Sequence, residues 1–295
     1  MVRALVSHWA LTEIRSMDVA VIGAGVMGSG IAQVCAMAGH KVQMFDLSGE
    51  ALTRGMSTIG KNLDKGIDRG KVTEAQKAAC LENIEQVSNL NEIRAELVIE
   101  AVVERLDVKI QLFNNLSDNN SDDCILATNT SSIPITQIAA QVPNPERVIG
   151  IHFFNPAHIM RLVEIVSGAH TDPAIASKAA DFVSGLGKVP IHAADAPGFI
   201  VNRVARNFYV EGLKVLEEQV ADVVMIDDLM QASGFKMGPF RLMDLIGVET
   251  NYSVTTSMFE LFKQDSKFRP SRIQKQKVDA GHHGRKTGKG FYDYS

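Results

Sequence analysis

Short apolar runs recur along the first two thirds of the chain, separated by stretches with helical spacing. VAVIG (19 to 23), KVQMFD (41 to 46), LVIEAVV (97 to 103), CILATN (124 to 129) and VIGIHFF (148 to 154) read as strands. Their alternation with helical segments predicts an α/β fold around a mostly parallel sheet. Between the first two runs, Ile31, Val34, Cys35 and Ala38 follow helical spacing, and Gly39 stands where a residue just past a helix end belongs. Asp107 is placed to cap a helix carrying Ile110, Phe113 and Leu116.

The pattern changes after DAPGFIVNR (195 to 203). Strand runs nearly vanish, residues 199 to 220 and 226 to 233 read as helices, GFKMGPF (234 to 240) as a turn, and further helix extends to about 264. The tail HHGRKTGKGFYDYS is rich in glycine and lysine and reads as irregular. A second, all-helical domain is therefore expected from residue 198 to 295, following an α/β domain over 17 to 197 and an extension over 1 to 16.

Length and charge narrow the function. The 295 residues are enough for two domains, and a net charge of −4 without a basic stretch argues against nucleic acid as a partner. Cys35, Cys80 and Cys124 are scattered without metal or redox spacing, which suits reduced thiols in a cytoplasmic protein. No apolar run approaches the roughly 20 residues that span a bilayer, so no membrane role is expected. The first residues carry His8 within their apolar patch and no small-residue cleavage site, so they read as an extension before the first structural signal near Met17.

The first candidate chemistry lies in Gly23-Ala-Gly25-Val-Met-Gly28, a G-x-G-x-x-G loop between a strand and a helix. Gly23 permits a tight turn, Gly25 lets backbone approach a pyrophosphate, and Gly28 allows the helix to pack closely on the strand. Asp46 ends the next strand, where a carboxylate bonds a ribose 2′-hydroxyl and repels a 2′-phosphate. Together they predict a Rossmann-type domain that binds NAD rather than NADP. A glycine-rich turn and a strand-ending aspartate are the structural alternatives.

Open parallel sheets bind ligands beyond the carboxyl ends of their strands. Glu104 follows LVIEAVV, Asn129 and Ser131 follow CILAT, and His152 precedes Asn155-Pro156. Each alone suits a cap or turn, but their recurrence at three neighbouring strand ends marks a site. His152 suits a general base for a hydroxyl proton, and Glu164 in LVEIV suits the carboxylate that orients it. The intervening Asn155 to Met160 forms a turn that folds the two strands together and holds the competing imidazole, His158.

VIGAGVMGSGIAQ, VVERLDVK, NTSSI, HFFNP, LVEIV, DAPGFIVNR, MGPF, DLIG and GRKTGKGFYDY occur in that order from Met17 to Tyr294. In this the chain resembles the short-chain L-3-hydroxyacyl-CoA dehydrogenases, including bacterial 3-hydroxybutyryl-CoA dehydrogenases. The resemblance implies NAD-dependent, reversible oxidation of an L-3-hydroxyacyl-CoA thioester by a homodimer assembled through the helical domain. It implies His152 and Glu164 as the catalytic dyad, Ser131 and Asn202 at the substrate oxygens, and Asp46 at the adenosine ribose. Glu104, Lys109, Asn155 and Lys286 would complete the cofactor site. The family's CoA-facing serine and lysine correspond to Asn62 and Arg69 here, a departure that keeps hydrogen bonding and positive charge; a solvated, mixed-charge helix face is the alternative. Phe240, Met243 and Leu245 are candidates for acyl-chain length selection or simply core. A non-catalytic, crystallin-like NAD binder and a dehydrogenase of free hydroxy acids are the competing functions.

Overall fold

The computed structural model describes residues 16–294. Except for Ser16, the expected N-terminal extension lies outside them. The chain forms two compact units, one up to Ala194 and one from Asp195 onward.

The first unit is built on eight strands: β1 (Asp18–Ile22), β2 (Lys41–Phe45), β3 (Ile84–Val87), β4 (Leu97–Glu100), β5 (Ile125–Thr128), β6 (Val148–Phe153), β7 (Leu162–Ser167) and β8 (Val189–Ala194). Their order is β3-β2-β1-β4-β5-β6-β7-β8. All neighbours run parallel except β6 and β7. The helices of this unit are α1 (Val26–Met37), α2 (Gly49–Asp68), α3 (Glu74–Glu82), α4 (Leu106–Asn119), α5 (Ile135–Ala139) and α6 (Pro173–Gly185). Successive residues Val19 to Ile22 are all buried, so both sheet faces are covered and the strand reads as an apolar run. Gly39, with φ +90°, follows the end of α1 as expected.

Three expectations change. The run LVIEAVV is strand only to Glu100, because residues 101 to 103 leave the sheet and pass beneath the glycine loop. Asp107 is not the cap of α4: Arg105 occupies that position, and Asp107 lies in the first turn, paired with Arg105 and favourable to the helix dipole. Strands β3 and β8 are additional edge strands. Cys35, Cys80 and Cys124 are buried free thiols, and burial pushes Cys35 up to about 12.

The second unit contains α7 (Val201–Glu217), α8 (Val223–Ala232), α9 (Pro239–Ile246), α10 (Val248–Leu261) and α11 (Arg272–Asp279). The predicted helical stretch to about 264 is therefore two helices broken at Gly247, and α11 adds to it. Tyr209, Leu213, Ile226, Phe240 and Met243 form its core. Phe240 and Met243 are thus core residues, whereas Leu245 is exposed. No helix among the described residues is long and apolar enough to cross a membrane.

Two buried aspartates organise this unit. Asp227 accepts from the amides of Phe240 and Arg241 at 2.9 Å and from the Tyr292 hydroxyl at 2.8 Å, so α8 supplies the cap for α9. Asp244 accepts from the amides of Phe291 and Tyr292, both at 2.9 Å, and from Tyr294. The glycine- and lysine-rich tail is irregular, as its composition predicts, yet fixed. Asp244→Ala removes these acceptors and leaves buried donors unmatched, at a cost of about 2 kcal/mol or more. The expected outcome is a lower denaturation midpoint and protease cleavage near Phe291; an unchanged digestion pattern would contradict it.

Candidate functional site

The glycine loop joins β1 to α1. Gly23 has φ +104°, and a side chain there would meet the Ala101 carbonyl oxygen at 2.7 Å. A methyl at Gly28 would collide with the Gly23 carbonyl oxygen, so only glycine lets the helix approach this closely. Gly25 is the N-cap of α1, has no side-chain cap, and faces open space. The amides at this helix end are therefore available to an anion. Asp46, just beyond β2, accepts from the Ala24 amide at 2.8 Å and from the Ser48 amide at 2.9 Å. It is a turn residue and a loop anchor at once, and its oxygens keep further lone pairs. A cleft of about 480 Å³ runs beside it, lined by Gly23, Gly25, Asp46, Leu47, Val103 and Val108 among others. Glycine backbone, an acid and apolar walls match what a dinucleotide's phosphate, ribose and adenine require.

His152 and Glu164 face each other directly across the antiparallel β6–β7 pair. The imidazole Nδ1 lies 2.8 Å from Glu164 Oε2, with His152 5% exposed and Glu164 fully buried. A carboxylate at that distance holds the Nδ1 proton in place, so the ring's other nitrogen, Nε2, is the one suited to proton exchange. Phe154 packs on the imidazole with ring centroids 4.5 Å apart.

The connecting turn is closed by the amides of Ile159 and Met160, both on the Pro156 carbonyl at 2.9 Å. Lys188 ties it down further, donating to the carbonyls of Ala157 and Met160 at 2.7 Å. His158 sits in this turn, outside the β6–β7 pairing that sets His152 opposite Glu164. Burial, together with the charges of Lys188 and Lys65, lowers its pKa. Asn155 is exposed where the turn begins, while Asn129 accepts from the Phe153 amide at 2.8 Å and ties β6 to the end of β5.

A second polar cluster joins residues expected separately. Lys109 on α4 is almost fully buried, 2.6 and 2.8 Å from the two oxygens of Glu100 and 3.3 Å from Glu104 Oε2. Glu104 Oε1 accepts from the Thr130 hydroxyl at 2.6 Å and from the amides of Ser131 and Ser132 at 3.0 and 3.1 Å. Burial works against the charged carboxyl of Glu104, but Lys109 and the loop donors outweigh it and hold its pKa below the ordinary value. Glu104, Lys109 and Ser131 thus form one network, which also contains Glu100.

The remaining candidates are carried by other elements. Asn62 on α2 donates to Gln33 at 3.2 Å, and Arg69 stands exposed at the end of that helix. In the second unit, Asn202 lies in the first turn of α7, and Lys286 is paired with Glu249. Sequence reasoning missed Glu100, hidden inside an apolar run, and the cations Lys65 and Lys188. The available signal was Glu100 itself, a carboxylate at the end of a strand.

The lowered pKa of Glu104 gives a pH prediction. A carboxyl depressed in the folded state contributes stability above its unfolded value, near 4.5, and loses it as pH falls through the folded value. Wild type should therefore exceed Glu104→Gln in stability at neutral pH, with the gap closing below about 4.5. Denaturation midpoints across pH 3 to 7 check this, and a gap that widens on acidification would refute it.

Both units match a known family. Residues 18–196 match the NAD binding domain of 3-hydroxyacyl-CoA dehydrogenase, and residues 198–294 match its C-terminal domain. The chain is 46% identical, over 95% of its length, to the 3-hydroxyadipyl-CoA dehydrogenase of Escherichia coli (strain K12), of which it spans 60%. It is 42% identical to the 3-hydroxybutyryl-CoA dehydrogenase of Bradyrhizobium diazoefficiens, with 94% of each covered. The crystal structure of an (S)-3-hydroxybutyryl-CoA dehydrogenase from Ralstonia eutropha aligns with a TM-score of 0.88 at 38% identity, over 94% of this chain and 99% of that one.

Proposed function

We propose a reaction from this premise: the chain belongs to the 3-hydroxyacyl-CoA dehydrogenase family, with NAD as its cofactor. The reaction is the reversible oxidation of an L-3-hydroxyacyl-CoA to the 3-ketoacyl-CoA. The observation that carries the reading is the buried 2.8 Å contact between His152 Nδ1 and Glu164.

In the oxidative direction His152 removes the substrate's hydroxyl proton through Nε2, and Glu164 stabilises the imidazolium that results. NAD+ supplies the hydride acceptor when bound. Ser131 and Asn202 hydrogen-bond the oxygens around the reacting carbon. Gly23, Gly25 and Gly28 shape the phosphate-binding turn, and Asp46 binds the adenosine ribose and disfavours a 2′-phosphate. Glu104, Lys109, Asn155 and Lys286 complete the cofactor site. Asn62 and Arg69 on α2 receive CoA, with the ammonium of Lys65 on the same helix adding positive charge for its phosphates. The protein works in the cytoplasm as a homodimer joined through its helical unit.

A buried imidazole–carboxylate pair is an expensive way to stabilise a sheet, which favours the catalytic reading over a purely structural NAD binder. The test follows NADH consumption with acetoacetyl-CoA and with free acetoacetate. The thioester should be strongly preferred, and His152→Ala should lower kcat by about 10²- to 10⁴-fold. NADH affinity should remain within about twofold, since His152 adds nothing to the phosphate or adenosine contacts. Near-wild-type turnover by the variant would overturn the base assignment, and equal rates on the free acid would overturn the substrate class.

A further inference from the structure

Glu100 is fully buried at the end of β4, where its three strand neighbours Leu97, Val98 and Ile99 are buried apolar residues. Nothing in the packing of the sheet calls for a charge there. Four hydrogen bonds nevertheless converge on it. Oε1 accepts from Lys109 at 2.6 Å and from the Val102 amide at 2.7 Å, while Oε2 accepts from Lys109 at 2.8 Å and from the Thr128 hydroxyl at 2.7 Å.

The lysine is equally committed. An ammonium has three donors, and three carboxylate oxygens surround this one: both of Glu100 and Oε2 of Glu104. Lys109 therefore reaches the cofactor site only through Glu104. Because Oε2 of Glu104 is turned toward Lys109, Oε1 is turned toward the loop after β5, where it receives Thr130, Ser131 and Ser132. The same loop is tied from its other end, since the Thr130 amide donates at 3.1 Å to the Thr128 hydroxyl that Glu100 holds. On the opposite side, the Val102 amide links Glu100 to the segment whose Ala101 carbonyl lies against Gly23.

We propose that Glu100 is a positioning residue: through Lys109 and Thr128 it fixes Glu104 and the Thr130–Ser132 loop that carries Ser131. It touches neither substrate nor cofactor. The inference rests on the reading of Ser131 as a substrate contact, and it adds a residue to which no role has been attached. Glutamine cannot replace Glu100, because either orientation of its amide turns a donor toward Lys109, and one of them also toward the Val102 amide.

The test measures amide hydrogen exchange in cofactor-free Glu100→Gln and steady-state kinetics with NADH and acetoacetyl-CoA. The amides of Ser131 and Ser132, which donate to Glu104, should exchange at least about tenfold faster, while those of Ala20 and Val21 in β1 stay as in wild type. KM for the thioester should rise about fivefold or more with kcat within about threefold, since the His152–Glu164 pair is untouched. If the single variant fails to fold, Thr128→Val keeps the Glu100–Lys109 pair and severs the link from Glu100 to the loop. The same loop and KM effects are expected of it. Wild-type exchange and KM in whichever variant folds would overturn the proposal, as would faster exchange throughout the sheet with KM unchanged. Should wild type itself fail to turn over the thioester, the functional reading falls, while the exchange data still decide the role of Glu100.

Discussion

Two carboxylates, Glu100 and Glu164, lie fully buried in the same sheet, and each must recover a desolvation cost of several kcal/mol from the donors around it. That requirement organises the polar half of the first unit. Glu164 meets the imidazole of His152 across one strand pair, and Glu100 meets Lys109, Thr128 and a backbone amide on another. The apolar packing that makes these charges costly also strengthens their contacts, because little water competes for them. The groups so held are the ones to which the proposed reaction assigns roles: His152, Glu104 and the Thr130–Ser132 loop.

The His152–Glu164 contact depends on strand direction. A parallel connection from β6 would have sent the chain back across the sheet, whereas the short turn reverses it and brings Glu164 opposite His152. A slip of one residue would move the carboxylate to the other face. The turn is held against slipping by Lys188 and by its packing on α1, where a side chain on Gly30 would lie 3.1 Å from Ala157. The helix that opens at the glycine loop therefore also buttresses the turn that sets Glu164 opposite His152.

Much of this was legible in the sequence because it rests on local patterns. The glycine spacing, the aspartate after β2, the apolar strand runs and the turn between His152 and Glu164 each carry a signature over a few residues. The edge strands were less visible for physical reasons. In β3 only Ile84 and Val87 are buried, and β8 is mostly exposed and contains Pro190, so neither forms an apolar run. Glu100 was hidden differently, since its neighbours on both sides are apolar and its partners come from α4 and β5. Asp107 misled because an acid near a helix start suits the first turn as well as the cap. Pairings between distant segments, such as Glu104 with the serine loop, leave no local pattern to read.

If Glu164 acts on catalysis through its charge on His152, beyond filling space in β7, loss of that charge alone slows turnover. Glu164→Gln preserves size and a hydrogen-bonding oxygen while removing that charge, and turnover of acetoacetyl-CoA with NADH measures the consequence. The expected result is a fall in kcat of about 10²-fold or more with NADH affinity unchanged. A folded variant with near-wild-type kcat would contradict it.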